Sequence, residues 1–194
     1  MAQELNRETA IRTAAIGLGA NLPSPAGDAR STLAAGLRDL AGGFRIAGVS
    51  RFFRSPAFPP GSGPDFVNAA VLVDTDMAPE CILRALHAIE ARYLRERKSR
   101  WAARTLDLDL LFVGDCVLPN RDIQVKWMHL LPERQQIDCP ESLILPHPRL
   151  QDRAFVLVPL AEIAPRWRHP VTGHSVSAMT AGLPDAEKAA ICPV

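Results

Sequence analysis

Cysteine, tyrosine and net charge are all scarce in this chain of 194 residues. Its four cysteines, Cys81, Cys116, Cys139 and Cys192, stand far apart, with no C-x-x-C pair and no histidine at metal-ligand spacing; this argues against a disulfide scaffold and against zinc. A formal net charge of +1 provides no broad basic field for nucleic acid or an anionic membrane surface. No apolar run reaches membrane-spanning length, and the apolar stretch at residues 14–18 is too short and too late for a secretory signal. Internal repeats and low-complexity segments are missing as well. A reducing cytoplasm is therefore the expected compartment, with no nucleic-acid or membrane partner.

What is present is globular in composition, 47% hydrophobic and 22% charged, and long enough to bury a sizeable core in one domain. Residues 13–20 read as a buried strand. A Gly/Asn/Pro/Ser turn follows, then a helix with Leu33, Leu37 and Leu40 on one face that stops at Gly42-Gly43. Residues 44–54 have strand character, and the proline- and glycine-rich stretch 55–64 must be a loop. Across residues 66–75 the strand period puts Phe66, Asn68, Ala70 and Leu72 on one side and Val67, Ala69, Val71 and Val73 on the other. Pro79 suits a first helical turn, and Ile82, Leu83, Leu86, Ile89 and Tyr93 share a stripe. A fourth strand is expected over 106–113.

The order strand, helix, strand, strand, helix, strand predicts an α+β fold: a ferredoxin-like βαββαβ core with an antiparallel sheet, helices packed on it and a C-terminal extension. One domain over 1–194 is expected, with its core at about 13–165 and the extension at 166–194. Beyond Gly114 the pattern weakens. Residues 117–140 read as a polar connection with a short helix near 123–131, Pro146-His147-Pro148 marks a rigid turn, and 155–163 is apolar. The tail reads as a turn and a short helix, with His169 and His174 as surface residues.

The chemistry concentrates in R-W-A-A-R-T-L-D-L-D, residues 100–109. On a strand from Leu106, Leu106, Leu108, Leu110 and Phe112 share one face, and Asp107, Asp109, Leu111 and Val113 share the other. The two carboxylates then lie roughly 6–7 Å apart along the strand. Two such donors suit magnesium, which takes one or two carboxylates and leaves its other positions to water and phosphate. As an isolated pair they read equally as solvated strand residues neutralised by Arg100 or Arg104. The preceding cluster, Arg92, Arg95, Arg97, Lys98, Arg100 and Arg104, could cap a helix C-terminus or grip phosphate oxygens through guanidinium forks.

Several segments in order, IGLGANL, SRFFRSPAF with PDFVNAAV, RWAARTLDLDLLFVGD and LPHPRLQDRAFVLVPLAEIAP, resemble the 6-hydroxymethyl-7,8-dihydropterin pyrophosphokinase family of folate biosynthesis. The resemblance spans about residues 16–165. It implies transfer of the β,γ-diphosphate of ATP to the pterin hydroxymethyl group with release of AMP, ATP as co-substrate, two Mg2+ ions and a monomeric enzyme acting on small molecules. It also implies roles. Asp107 and Asp109 would hold the ions, and Arg95 and Arg104 would assist transfer. His87, Glu90, Arg97, Arg100, Trp101, His147 and Arg153 would meet ATP. Ser55, Pro56, Phe58, Phe66, Asn68, Trp101 and Phe155 would meet the pterin, with the ring stacked between Phe66 and Phe155.

Taken singly, the residues have plainer readings: Glu90 as an exposed helix residue paired with Arg92 or Arg97, His147 as a turn residue, Phe66 and Phe155 as core. The chain also departs from the family. Ala102-Ala103 stand where Gly-Pro is usual, Leu94 where glycine is common, Ser55 and Phe66 where threonine and tyrosine are frequent, and the connection 118–142 is long. Two other functions fit less of the sequence. One is a pterin-binding homologue without turnover; the other is a ferredoxin-like RNA-binding module, which lacks its aromatic strand motif here.

Overall fold

A computed structural model describes residues 10–57, 61, 63–93, 105–131, 134 and 138–194. Strand β1 (Arg12–Ala20) is followed by helix α1 (Ala29–Gly43), then β2 (Arg45–Val49), β3 (Phe53–Ser55), β4 (Phe66–Thr75), α2 (Pro79–Arg92) and β5 (Asp107–Val113). The sheet runs β5-β1-β4-β3 in space, with β2 also on β4, and the pairings of β1 with β4 and β5 and of β4 with β2 and β3 are antiparallel. This is the expected α+β architecture.

Local chemistry sets the helix ends. The Asp28 carboxylate accepts from the Ser31 N–H at 2.8 Å at the start of α1, satisfying one of the donors a helix leaves over. Pro79 opens α2, where its missing N–H costs nothing. Tyr93, just past α2, donates its hydroxyl to Asp39 of α1 at 3.0 Å. The apolar stripes of both helices meet Ile16, Leu18, Val71, Leu106, Leu108 and Leu110 in one core on one face of the sheet.

Residues 44–54 do not form the one strand expected. The run breaks at Ser50, whose N–H donates to Ala70 O and whose Oγ accepts from the Ala70 N–H, both at 2.9 Å. A side-chain hydroxyl has replaced a ladder partner, so β2 and β3 dock on β4 as separate pieces.

A second correction concerns β5. Its register against β1 shifts between Ala15 and Ile16, a bulge that leaves one extra residue on β5 and turns the strand. Phe112, expected beside Leu110, instead joins Leu111 in the core on the other face, and Val113 takes the place expected for Phe112. Asp107 and Asp109, ahead of the bulge, keep the predicted alternation.

The later chain builds that second face. The short helix α3 (Arg121–Met128) lies in the long connection, and α4 (Ala154–Ile163) lies over β4 with Val156, Leu157 and Leu160 inward. Beyond α4, Trp167 stacks on Phe112 with ring centroids 3.9 Å apart and donates its indole N–H to Gly114 O at 2.8 Å. Helices α5 (Val176–Gly182) and α6 (Asp185–Ala189) precede a strand the sequence did not suggest, β6 (Cys192–Pro193), which pairs with β3.

His169 corrects a further expectation. It is fully buried (0% exposed), with Nδ1 accepting from the Val171 and Thr172 N–H groups at 3.2 and 3.4 Å. Burial, then the charges of Arg121 and His174, push its pKa down to about 4. The folded value lies below the ordinary one, so the unfolded chain binds the proton first as pH falls. The stability gained by keeping this ring neutral is complete above about pH 6.5 and is lost as pH drops toward 4. Between pH 7 and 5 the wild type should therefore lose about 1–2 kcal/mol more than His169→Asn, which keeps an acceptor for those amides and has no such titration. Urea unfolding at the two pH values measures the difference; parallel losses would contradict it.

Candidate active site

β1 supplies the floor of the face that carries Asp107 and Asp109, between β5 and β4. Gly19 lies opposite Asp107 on one side and Asn68 on the other, and Asn68 lies opposite Phe53. One row across the sheet therefore reads Asp107, Gly19, Asn68, Phe53. The next reads Asp109, Gly17, Ala70. Neighbouring strands are about 4.8 Å apart, so Asp107 and Asn68 face each other across roughly 10 Å, with only a glycine in the row between them. A Cβ on Gly19 would stand 3.4 Å from Asn68 Oδ1, and one on Gly17 3.5 Å from Leu111.

Asn68 is buried at 4% exposure, and its Nδ2 donates to Ser55 Oγ at 2.8 Å. That bond fixes the amide so that Oδ1 is the atom next to Gly19. Phe66 is half-buried on the same side of β4, opposite Ser55. Pro56 is exposed just beyond β3.

The C-terminal half contributes the opposite wall. Arg153 caps α4, and its Nη1 lies 3.5 Å from Asp109 Oδ2. Its guanidinium also stands 5.6 Å from the centre of the Phe155 ring, which is 40% exposed on the first turn of α4. An exposed phenylalanine beside a cation and a carboxylate is a poor core residue and a good platform for a flat ring. At the other end of α4, Glu162 accepts from the Arg51 backbone N–H at 2.9 Å and from its Nε at 2.7 Å, which ties the helix to the segment leading into β3.

His147 is held beside β5 by its own N–H donating to Leu111 O at 2.8 Å. Its Nδ1 accepts from the Arg149 N–H at 3.1 Å, so in the neutral ring the proton sits on Nε2, making that atom a donor. Burial and the charge of Arg153 press its pKa down to about 3, with Arg149 adding to the effect and Asp107 opposing it. The site thus presents a neutral N–H rather than a third cation. It follows that activity between pH 5 and 9 should show no limb from His147, and that His147→Gln should leave the shape of the profile unchanged. A profile limb abolished by that substitution would overturn the neutral-donor assignment.

Asp107, Asp109, Ser55, Phe66, Asn68, His147, Arg153 and Phe155 thus belong to one face of the sheet and its rim. The α2 pair, His87 and Glu90, comes from the helical layer on the other face of the sheet. His87 is half-buried on α2, in the helical layer behind the sheet. Glu90 is 1% exposed, and its Oε1 accepts from the Leu108 N–H at 2.8 Å. That burial corrects the plainer reading of Glu90 as an exposed helix residue, and Arg92 pairs with Asp39 at 3.6 Å. Phe58, Arg95, Arg97, Arg100, Trp101 and Arg104 lie outside the described residues. The sequence reading missed Gly17 and Gly19, although a strand with glycine at every second position signals close approach by a ligand or backbone.

Among the described residues no three His, Cys, Asp or Glu side chains cluster as a metal site. Two adjacent carboxylates nevertheless fit magnesium, a cation that needs few protein ligands when phosphate and water complete its shell.

A family described as 7,8-dihydro-6-hydroxymethylpterin-pyrophosphokinase (HPPK) matches residues 15–165. The 2-amino-4-hydroxy-6-hydroxymethyldihydropteridine pyrophosphokinase of Synechocystis is 36% identical over 165 residues, covering 84% of this chain and 72% of that protein. The protein of the same name from Pseudomonas aeruginosa is 37% identical over 164 residues, covering 84% and 88%. A solved structure of Plasmodium falciparum HPPK-DHPS superposes with a TM-score of 0.64 at 17% identity. It covers 92% of this chain, which spans 46% of that one. At that identity the likeness speaks for the fold alone.

Proposed function

The chain belongs to the 7,8-dihydro-6-hydroxymethylpterin-pyrophosphokinase family, and we propose that it transfers the β,γ-diphosphate of ATP to the hydroxymethyl group of 6-hydroxymethyl-7,8-dihydropterin. The products are AMP and the pterin diphosphate, made in folate biosynthesis. The observation that carries this reading is the row Asp107, Gly19, Asn68: carboxylates at one end, an amide at the other and a bare floor between them.

Each end has a task. The flat pterin lies over Gly19, with Asn68 Oδ1 accepting from its polar edge and Phe155 covering a face. Phe66 and the Ser55–Pro56 segment close the remaining side, joined by Phe58. At the other end Asp107 and Asp109 would hold two Mg2+ ions, which would supply neutralisation of the phosphate charge. The His147 N–H and the Arg153 guanidinium meet the nucleotide phosphates, as do Arg97 and Arg100. Arg95 and Arg104 stabilise the charge that builds on the transferred group as the substrate hydroxyl attacks the β-phosphorus, and Trp101 closes over the substrates, excluding water that would hydrolyse ATP. His87 and Glu90 contribute to the nucleotide side from α2. The protein acts as one cytoplasmic, monomeric domain; no helix among the described residues is long and apolar enough to cross a membrane.

Chromatography of products from the purified protein with ATP, Mg2+ and 6-hydroxymethyl-7,8-dihydropterin tests the reaction. AMP and pterin diphosphate in equal amounts are expected. ADP, or pterin binding without turnover, would overturn it, the latter marking a homologue that has lost catalysis. Phe155→Ala tests the platform: a stacked ring is worth about 1–3 kcal/mol, so the KM for pterin should rise roughly 5- to 150-fold with ATP affinity unchanged.

A further inference from the structure

Helix α3 buries a single residue, and it is polar: Gln124, 0% exposed. Surface helices normally dock through an apolar stripe, and an enclosed amide costs desolvation unless it is fully bonded. Gln124 is bonded on one side only. Its Nε2 donates to Pro146 O at 3.4 Å, while its Oε1 has no hydrogen-bond partner among the described residues. A helix kept in place for stability alone would bury leucine here.

The bonded carbonyl explains the choice. Pro146 O belongs to the peptide unit whose nitrogen is that of His147. That same N–H donates to Leu111 O of β5 at 2.8 Å, so the peptide is gripped from β5 on one side and from α3 on the other. Leu118 and Leu145 exchange backbone hydrogen bonds of 2.9 and 3.2 Å, which sets the start of the long connection alongside the strand-like stretch entering the turn. Arg121 donates to Pro170 O and Val171 O at 3.4 and 2.9 Å, anchoring the other side of α3 to the C-terminal extension. The connection thus runs from the extension to the histidine.

We propose that Gln124 is a positioning residue for the nucleotide site, acting through the Pro146–His147 peptide to aim the His147 N–H at phosphate. This rests on the reading of His147 as a phosphate contact and gives the long connection a task in the reaction. Gln124 touches no substrate itself.

The test is a double-variant cycle on the full chain with Gln124→Met, which keeps length and shape without the donor, and His147→Ala. ATP affinity in the presence of Mg2+ is read by calorimetry, KM for pterin by turnover, and the midpoint of thermal unfolding alongside. Gln124→Met should weaken ATP about three- to tenfold, the effect of one hydrogen bond, with the pterin KM within twofold. In the His147→Ala background it should weaken ATP no further. Equal weakening in both backgrounds, or a parallel rise in the pterin KM, would reduce Gln124 to ordinary packing and overturn the inference. If His147→Ala leaves ATP affinity intact, the phosphate role of His147 falls first and the inference with it. Should Gln124→Met fail to fold, Gln124→Leu, which likewise lacks the donor, goes through the same cycle.

Discussion

Asp107→Ala and Asp109→Ala should each slow AMP formation by about three orders of magnitude, the loss expected when metal-borne charge stabilisation of several kcal/mol is removed. Both aspartates are only half-buried, on the solvent side of a strand whose core contacts come from Leu106, Leu108 and Leu110. Their removal therefore leaves the core intact, and the thermal midpoint should move little. Asp109 is also paired with Arg153 at 3.5 Å. Asp109→Ala therefore loosens a guanidinium at the nucleotide site, which should partly offset that variant's own loss in ATP affinity while leaving its loss of turnover in place. Near-normal turnover in either variant, at saturating Mg2+, would remove the metal assignment.

Gly19→Val should abolish pterin binding and keep, or slightly raise, thermal stability. Valine favours a strand and glycine disfavours it, so local propensity points toward a tighter β1. The same γ-carbons would occupy the floor between Asp107 and Asn68 and press on the amide, since even a Cβ stands 3.4 Å from Asn68 Oδ1. A rise in pterin KM beyond about 100-fold is expected from excluding a ring whose stacking and edge bonds are each worth about 1–3 kcal/mol. Gly19→Ala fits with only van der Waals contact and should lie between the two. A Gly19→Val enzyme with unaltered pterin KM would show that the ring sits elsewhere.

These two expectations come from different levels of the molecule. The D-x-D pair and its alternation were readable from residues 106–110, because strand period alone sends both carboxylates one way. The glycine floor was hidden at that level. IGLGANL is a strand pattern with two gaps, and only the register of β1 between β4 and β5 shows that those gaps fall in line with Asp107, Asp109 and Asn68. Glu90 illustrates the opposite error. It sits one turn after Leu86 on the apolar stripe of α2, which points it inward, yet its charge suggested exposure. What decides the matter is the Leu108 N–H waiting beneath it.

By itself, then, the sequence determined the order of the strands and helices in the βαββαβ core, the antiparallel α+β class, the two faces of β4 and the charged chemistry at the start of β5. These follow from periodicity and capping, which act over a few residues. The tertiary structure decided the rest: the break at Ser50, the bulge that turns Phe112 to the other face, the burial of His169, the addition of β6 to β3, and the docking of α3 through Gln124. The partners are distant in the chain, Ala70 for Ser50, β1 for the bulge and Pro146 for Gln124. Backbone hydrogen bonds and buried polar groups must be satisfied by whatever the fold brings near, and no local pattern names that neighbour in advance.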